Sequence, residues 1–175
     1  MSLDLAYLVV TGTTTAPRAA ELLEGLRRLV ERVITIPTPN AAQVISPRDL
    51  STIPGNRLVE SYFDADILPR PPDGLVLVAP CSFNSLNKLA SGIADNLALS
   101  LTAEAIGRGT PVVVAVSVNA PLNRHPRTAE STSILRAWGV SVLDAADIGE
   151  GPRLAPTGAI LAEVERRLKS YHGSQ

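Results

Sequence analysis

Leu75-Val76-Leu77-Val78-Ala79-Pro80-Cys81-Ser82-Phe83-Asn84-Ser85 is the stretch that decides the fold. Leu75–Ala79 has no polar face, as expected of a strand covered by helices on both sides. The strand runs out into Pro80–Ser85, and an amphipathic stretch follows from about Asn84 to about Gly107. Leu86, Leu89, Ala90, Ile93, Leu97 and Leu101 recur there at helical spacing, which predicts one long helix. A buried strand passing straight into a helix is half of a parallel βαβ unit.

The same alternation extends both ways. Ala6–Thr11 reads as an apolar strand ended by Gly12. Pro17–Arg32 reads as a helix, with Leu22, Leu23, Leu26, Leu29 and Val30 on one face. Pro17 suits its first turn, where a missing N–H is no loss. Val33–Ile36 is a strand, Ser46–Ile53 a short helix, and the polar Arg57–Tyr62 an edge strand. Asp64–Asp73 is a Pro-rich ordered loop and not a domain boundary. Beyond the long helix, Pro111–Val116 is a buried strand, Thr128–Trp138 a helix and Val140–Leu143 a last strand. Ala155–Ser170 closes the chain as a helix, and Tyr171–Gln175 is read as frayed. The pattern predicts a single α/β domain over residues 1–175. Its core is an open parallel sheet of about five or six strands with helices on both faces.

Composition narrows the function. The 175 residues are 45% apolar and 19% charged, with a formal net charge of -1. Acids and bases are mixed along the chain, so no nucleic-acid or anionic-membrane surface is expected. No apolar run approaches the roughly 20 residues that span a bilayer, and a cytoplasmic, soluble protein is the expectation. Cys81 is the only cysteine, which excludes an internal disulfide and thiolate zinc clusters.

Ligands of such sheets bind beyond the carboxyl ends of the strands, where the strand order reverses. Three loops stand there. Thr11-Gly12-Thr13-Thr14-Thr15-Ala16 sets hydroxyls beside backbone N–H groups at a helix start, which suits a phosphate as well as a simple cap. It has neither the G-x-G-x-x-G nor the G-K-[ST] pattern, so pyrophosphates and nucleoside triphosphates are not indicated. Pro80–Ser85 opens the long helix, with Asn84 or Ser85 as its cap. Cys81 has no basic neighbour in sequence and reads as a small packing residue rather than a nucleophile. Ser117–Pro126 carries Asn119, Arg124 and His125 on one connection. His172, in the tail, has no assigned role.

At these residues the sequence resembles the flavoprotein family of homo-oligomeric flavin-containing cysteine decarboxylases, to which the flavin prenyltransferases are related. Thr11–Ala16 is similar to the family's opening Thr-Gly-Ser-Ile-Ala-Ala turn, with Thr13 at the phosphate-binding Ser. Thr38 stands where the family has a Thr after its second strand, and Ser46-Pro47 matches the Thr-Pro that follows. Pro80–Ser85 resembles Pro-Ala-Ser-Ala-Asn-Thr, and Ala90–Leu97 is similar to the helix after it. Asn119 and His125-Pro126 match the third loop, while residues 147–151 with Arg153-Leu154 resemble the substrate-covering flap. The resemblance implies a Rossmann-like fold and bound FMN at a subunit contact in a homo-oligomer, a trimer or a dodecamer. It places Gly12, Thr13, Thr14, Thr38, Ser82, Phe83, Asn84 and Ser85 around the cofactor, and Asn119 on a substrate carboxylate. No metal is implied.

The departures bear on the reaction. The family's catalytic His falls at Ala65 or Asp66, and the first His of this chain is His125. The flap Cys of phosphopantothenoylcysteine decarboxylases falls near Ala145. Val116 and Val118 replace the family's Pro and Met beside Asn119. Cys81-Ser82 is how the prenyltransferases read, yet Asn84 replaces their Lys and their Pro-Arg-Glu segment is absent. The resemblance thus implies an FMN-dependent decarboxylase or oxidoreductase for a small or peptide carboxylate substrate other than phosphopantothenoylcysteine. Asp66 or His125 stands in for the missing base. The alternatives are a non-catalytic FMN-binding regulatory subunit and a prenyltransferase-like enzyme.

Overall fold

The computed structural model describes residues 3–147, 149 and 151–171. His172, the rest of the tail beyond Tyr171 that was expected to fray, and two positions of the flap-like segment (Ile148 and Glu150) lie outside the described residues. Six strands form one parallel sheet: β1 (Leu5–Val10), β2 (Arg32–Pro37), β3 (Asn56–Leu58), β4 (Leu75–Cys81), β5 (Val112–Val116) and β6 (Ser141–Leu143). Their spatial order is β3-β2-β1-β4-β5-β6, so the Rossmann-like expectation holds.

Alternation along each strand sends side chains to two separate cores. Tyr7, Val9, Val76, Val78, Val112 and Val114 pack on one face with α3 (Phe83–Ala90), α4 (Leu97–Arg108) and α6 (Pro126–Ala137). Ala6, Leu8, Leu75, Leu77, Val113 and Ala115 pack on the other with α1 (Ala19–Leu26) and α7 (Thr157–Ser170). This double coverage is why β4 and β5 contain no exposed residue. Short helices α2 (Pro47–Ser51) and α5 (Ala120–Arg124) complete the layers. A two-stranded antiparallel ribbon pairs β7 (Ala146–Asp147) with β8 (Pro152–Arg153).

Several elements differ from the expectation. The long helix over 84–107 is two helices, α3 and α4, separated by Ser91–Asn96. Gly92 takes φ +70°, the left-handed conformation that ends helices, directly after the Ser91 cap. Asn96 then starts α4, its side-chain oxygen accepting from the Leu99 N–H at 3.0 Å. Ile93, counted in the apolar stripe, lies in the break and is exposed. Apolar spacing ran unbroken across the turn, so periodicity alone hid it. α5 lies where a loop was expected, and the edge strand is the shorter Asn56–Leu58. The first helix, expected over Pro17–Arg32, is a 3-10 turn at Ala16–Arg18 followed by α1, which stops at Leu26.

Asn96→Ala removes the cap that restarts the chain as α4. It should lower unfolding free energy by about 0.5–2 kcal/mol in denaturant titrations. An unchanged midpoint would show that packing alone restarts the helix.

Candidate functional site

β1 and β4 are neighbours in the sheet, but the chain leaves β1 toward α1 on one face and β4 toward α3 on the other. A crevice therefore opens between their carboxyl ends. Thr11 closes its floor. Its hydroxyl donates to the Pro80 carbonyl at 2.7 Å and accepts from the Ser82 N–H at 2.9 Å. Gly12 follows because nothing larger fits: a Cβ there would stand 2.7 Å from Asn40 Cβ and 2.8 Å from the Asn40 backbone carbonyl.

Two cavities meet over this floor. The first, about 300 Å³, is lined by Gly12, Thr38, Asn40, Ser82, Asn84, Ser85 and the Lys88–Asp95 pair, among others. The second, about 610 Å³, is lined by Gly12, Thr13, Thr14, Thr15, Ser82, Phe83, Asn84, Ser117, Asn119 and, from β8, Pro152 and Arg153, among others. Gly12, Ser82 and Asn84 line both, so the two form one cleft across the switch point. Every residue expected around a cofactor lines one cavity or the other, and Asn119 lines the second.

Helix capping fixes the orientation of several polar groups. Ser82 Oγ accepts from the Ser85 N–H at 3.1 Å at the start of α3. Asn119 Oδ1 accepts from the Leu122 N–H at 3.0 Å at the start of α5. Its oxygen is thereby engaged, which leaves the Asn119 amide N–H groups as donors. His125 Nδ1 accepts from the Arg127 N–H at 3.1 Å at the start of α6. The neutral imidazole therefore carries its proton on Nε2 and offers a donor there rather than a lone pair. Its ring meets Phe83 edge-on, with centroids 5.2 Å apart.

Hydroxyls join the first and third loops. Thr13 Oγ1 and Thr15 Oγ1 are 2.9 Å apart, and Thr15 Oγ1 and Ser117 Oγ are 2.6 Å apart. In the first cavity Lys88 Nζ meets Asp95 Oδ2 at 2.5 Å, bridging the break between α3 and α4. Thr38 Oγ1 accepts from the Ala41 N–H at 3.3 Å and so holds the turn that carries Asn40.

Asp66 is placed differently. It forms an ion pair with Arg57 and, within its own chain, lines neither cavity. Cys81 is wholly buried in the core beneath the crevice, and burial pushes its thiol up to about 12. Sequence reading singled out neither Asn40 nor the Lys88–Asp95 pair. Asn40 carries no motif signal, because its place depends on the non-local approach of Gly12. Thr15 and Ser117 lay within loops already noted, but only their meeting in space marks them.

The donor set suits a flavin mononucleotide. The hydroxyls of Thr13, Thr14 and Thr15, in the turn between β1 and α1, suit a phosphate. The exposed Asn84 amide and the Phe83 ring, on the opposite lip, match a heteroaromatic ring system. The pattern of the flavoprotein family matches residues 5–169. The chain belongs to that family. A probable phosphopantothenoylcysteine decarboxylase of Streptococcus mutans serotype c is 31% identical over 176 residues, covering 92% of this chain and 97% of that protein. The phosphopantothenoylcysteine decarboxylase of Mus musculus is 30% identical over 193 residues, covering 96% and 90%. Among solved structures, the FMN-dependent cysteine decarboxylase SpaF is similar at a TM-score of 0.76 and 21% identity, covering 96% of this chain and 98% of that one.

In this flavoprotein the raised thiol makes an alkaline prediction. Cys81 keeps its proton in the fold to about 12, against an ordinary value of 9.0. The unfolded chain alone loses that proton above pH 9, so stability is intact below that pH and falls as pH rises through the window. Cys81→Ala should reduce the loss of unfolding free energy between pH 9 and 10 by up to about 1.4 kcal/mol per pH unit. Tyr7, also raised by burial, starts from 10.0 and contributes only above it. Equal slopes for variant and wild type would mean that the thiol is not held neutral.

Proposed function

We propose that this flavoprotein is an FMN-dependent, decarboxylase-type enzyme whose substrate is a cysteine-like or other small or peptide carboxylate, distinct from phosphopantothenoylcysteine. The observation that carries the reading is the cleft itself: the Thr-rich turn after β1, the Asn84 amide after β4 and the Asn119 amide after β5 line it together. Thr13 and Thr14 would hold the cofactor phosphate, and Phe83 and Asn84 its ring. FMN, when bound, supplies a two-electron acceptor beside the substrate. Asn119, with its oxygen engaged in the α5 cap, presents N–H donors to a substrate carboxylate. Phe83, Val118 and Leu122 give the larger cavity apolar walls that exclude water around the reacting carboxylate. His125 lines neither cavity but meets the edge of Phe83, which does, and from there it would return a proton through Nε2 rather than remove one.

The chain also suits assembly into a homo-oligomer with the flavin at a subunit contact. Phe63 is 86% exposed, with the half-exposed Tyr62 and Leu68 on the same segment. Tyr62 bonds to Ser100, which in turn bonds to the Ala94 carbonyl, so this apolar surface reaches the break beside the first cavity. Asp66 sits on the same segment. In an assembly it would serve a neighbouring chain's cleft.

A second reading is a non-catalytic FMN-binding subunit. It is favoured by the lack of a free base among the described residues of the cleft: Lys88 and Asp95 are paired, and His125 lines neither cavity. Anaerobic incubation of the flavin-loaded protein with peptides ending in cysteine separates the two. Flavin bleaching with release of carbon dioxide supports the enzyme. Tight flavin without turnover supports the subunit.

Asn84→Ala should weaken flavin binding by about 1–3 kcal/mol, since one hydrogen-bonding partner is lost. A variant as yellow as wild type would misplace the ring. Thr13→Val should lower affinity for FMN and leave affinity for riboflavin unchanged, measured by fluorescence quenching. Phe63→Glu should reduce the assembly size seen by light scattering while the far-ultraviolet dichroism is retained.

A further inference from the structure

Thr15 and Ser117 form a feature that the reading above leaves unused. The family turn that resembles Thr11–Ala16 has Ala at the position of Thr15, so the hydroxyl here is an addition. It stands between two others, 2.9 Å from Thr13 Oγ1 and 2.6 Å from Ser117 Oγ. Ser117 is almost completely buried. The three oxygens thus make a short chain along the wall of the larger cavity, from the mostly buried Ser117 after β5 to the turn after β1.

Proton counting gives this chain a direction. Each hydroxyl has one proton to donate. Thr15, bonded on both sides, either accepts from both neighbours or accepts from one and donates to the other. If Thr13 donates to Thr15, its only proton is engaged and an anion at the turn meets lone pairs. If Ser117 donates to Thr15 and Thr15 to Thr13, the Thr13 proton is free to point into the cleft. An anion beside Thr13 selects the second direction, and successive donations polarise one another.

We propose that Thr15 and Ser117 are positioning residues that orient the Thr13 hydroxyl as a donor to the phosphate of the cofactor. The proposal rests on the reading that places that phosphate at Thr13. Neither residue needs to touch the cofactor. The buried Ser117 anchors the chain, and Thr15 transmits its direction.

The test compares FMN and riboflavin dissociation constants for wild type, Thr13→Val, Thr15→Val, Thr15→Ser, Ser117→Ala and the double variant Thr13→Val/Thr15→Val. Riboflavin lacks the phosphate, so an unchanged riboflavin constant reports an intact fold and ring site. Thr15→Val, which keeps side-chain shape, should weaken FMN roughly three- to tenfold, the scale of one ordinary hydrogen bond. Ser117→Ala should weaken it in the same sense, and Thr15→Ser should restore wild-type affinity. In the Thr13→Val background, Thr15→Val should add nothing, because the group it orients is gone. A loss with Thr13→Val but not with Thr15→Val or Ser117→Ala overturns the orienting chain while leaving the phosphate seat in place. Additive losses in the double variant also overturn it. No loss with Thr13→Val removes the seat itself. Equal losses for riboflavin and FMN with Thr15→Val would make its role merely structural and overturn the proposal.

Discussion

Thr11 lies buried where β1 and β4 end, and its hydroxyl serves both strands at once. It donates to the Pro80 carbonyl and accepts from the Ser82 N–H. The Thr11 N–H also points to the Pro80 carbonyl, at 3.3 Å. Regular pairing between the two strands covers Ala6–Val9 against Leu75–Val78. Beyond it the strands part toward opposite faces, and the Thr11 side chain takes over the role of the ladder. An apolar residue there would leave the Ser82 N–H without its partner, at a cost of about 1–3 kcal/mol, while the Pro80 carbonyl would keep only the longer bond from the backbone N–H. The cleft depends on this tie, because Gly12 and Ser82 line both of its cavities.

From that tie the site is built by close approach and by capping. Gly12 admits the Asn40 backbone, which brings the loop after β2 to the same floor. Ser82, Asn119 and His125 each cap a helix and so have fixed orientations. A cap stabilises its helix and at the same time decides which atoms of the side chain remain for a ligand. Asn119, in the cleft lining, is left with donors, and His125, outside that lining, with an Nε2 proton. The cleft is thereby rich in donors and poor in bases, which suits holding phosphate and carboxylate groups more than removing protons.

Much of this was legible in the sequence where the signal is local. The apolar runs Leu75–Ala79 and Pro111–Val116 announce strands covered on both faces, and both are so. The Thr-rich turn and the Pro80–Ser85 segment follow such strands, and their residues line the cleft. The break between α3 and α4 was not legible from spacing, since Leu89, Ile93 and Leu97 continue a helical stripe across it. Gly92 and Asn96 carried the stop and the restart, but each is tolerated inside a helix often enough that the apolar stripe outweighed them.

The sequence by itself determined the alternation of strands and helices, the burial of the central strands and the chemical character of the three loops. These follow from periodicity and residue chemistry, which act over a few neighbouring positions. Tertiary structure alone decided that β1 lies beside β4, that Gly12 meets Asn40, that Thr15 meets Ser117 and that Asp66 pairs with Arg57 away from its own chain's cleft. The first three are contacts between distant segments, and the last closes a loop between residues nine apart. No local pattern encodes such contacts, because they are set by how the two faces of the sheet are covered and where its strands end.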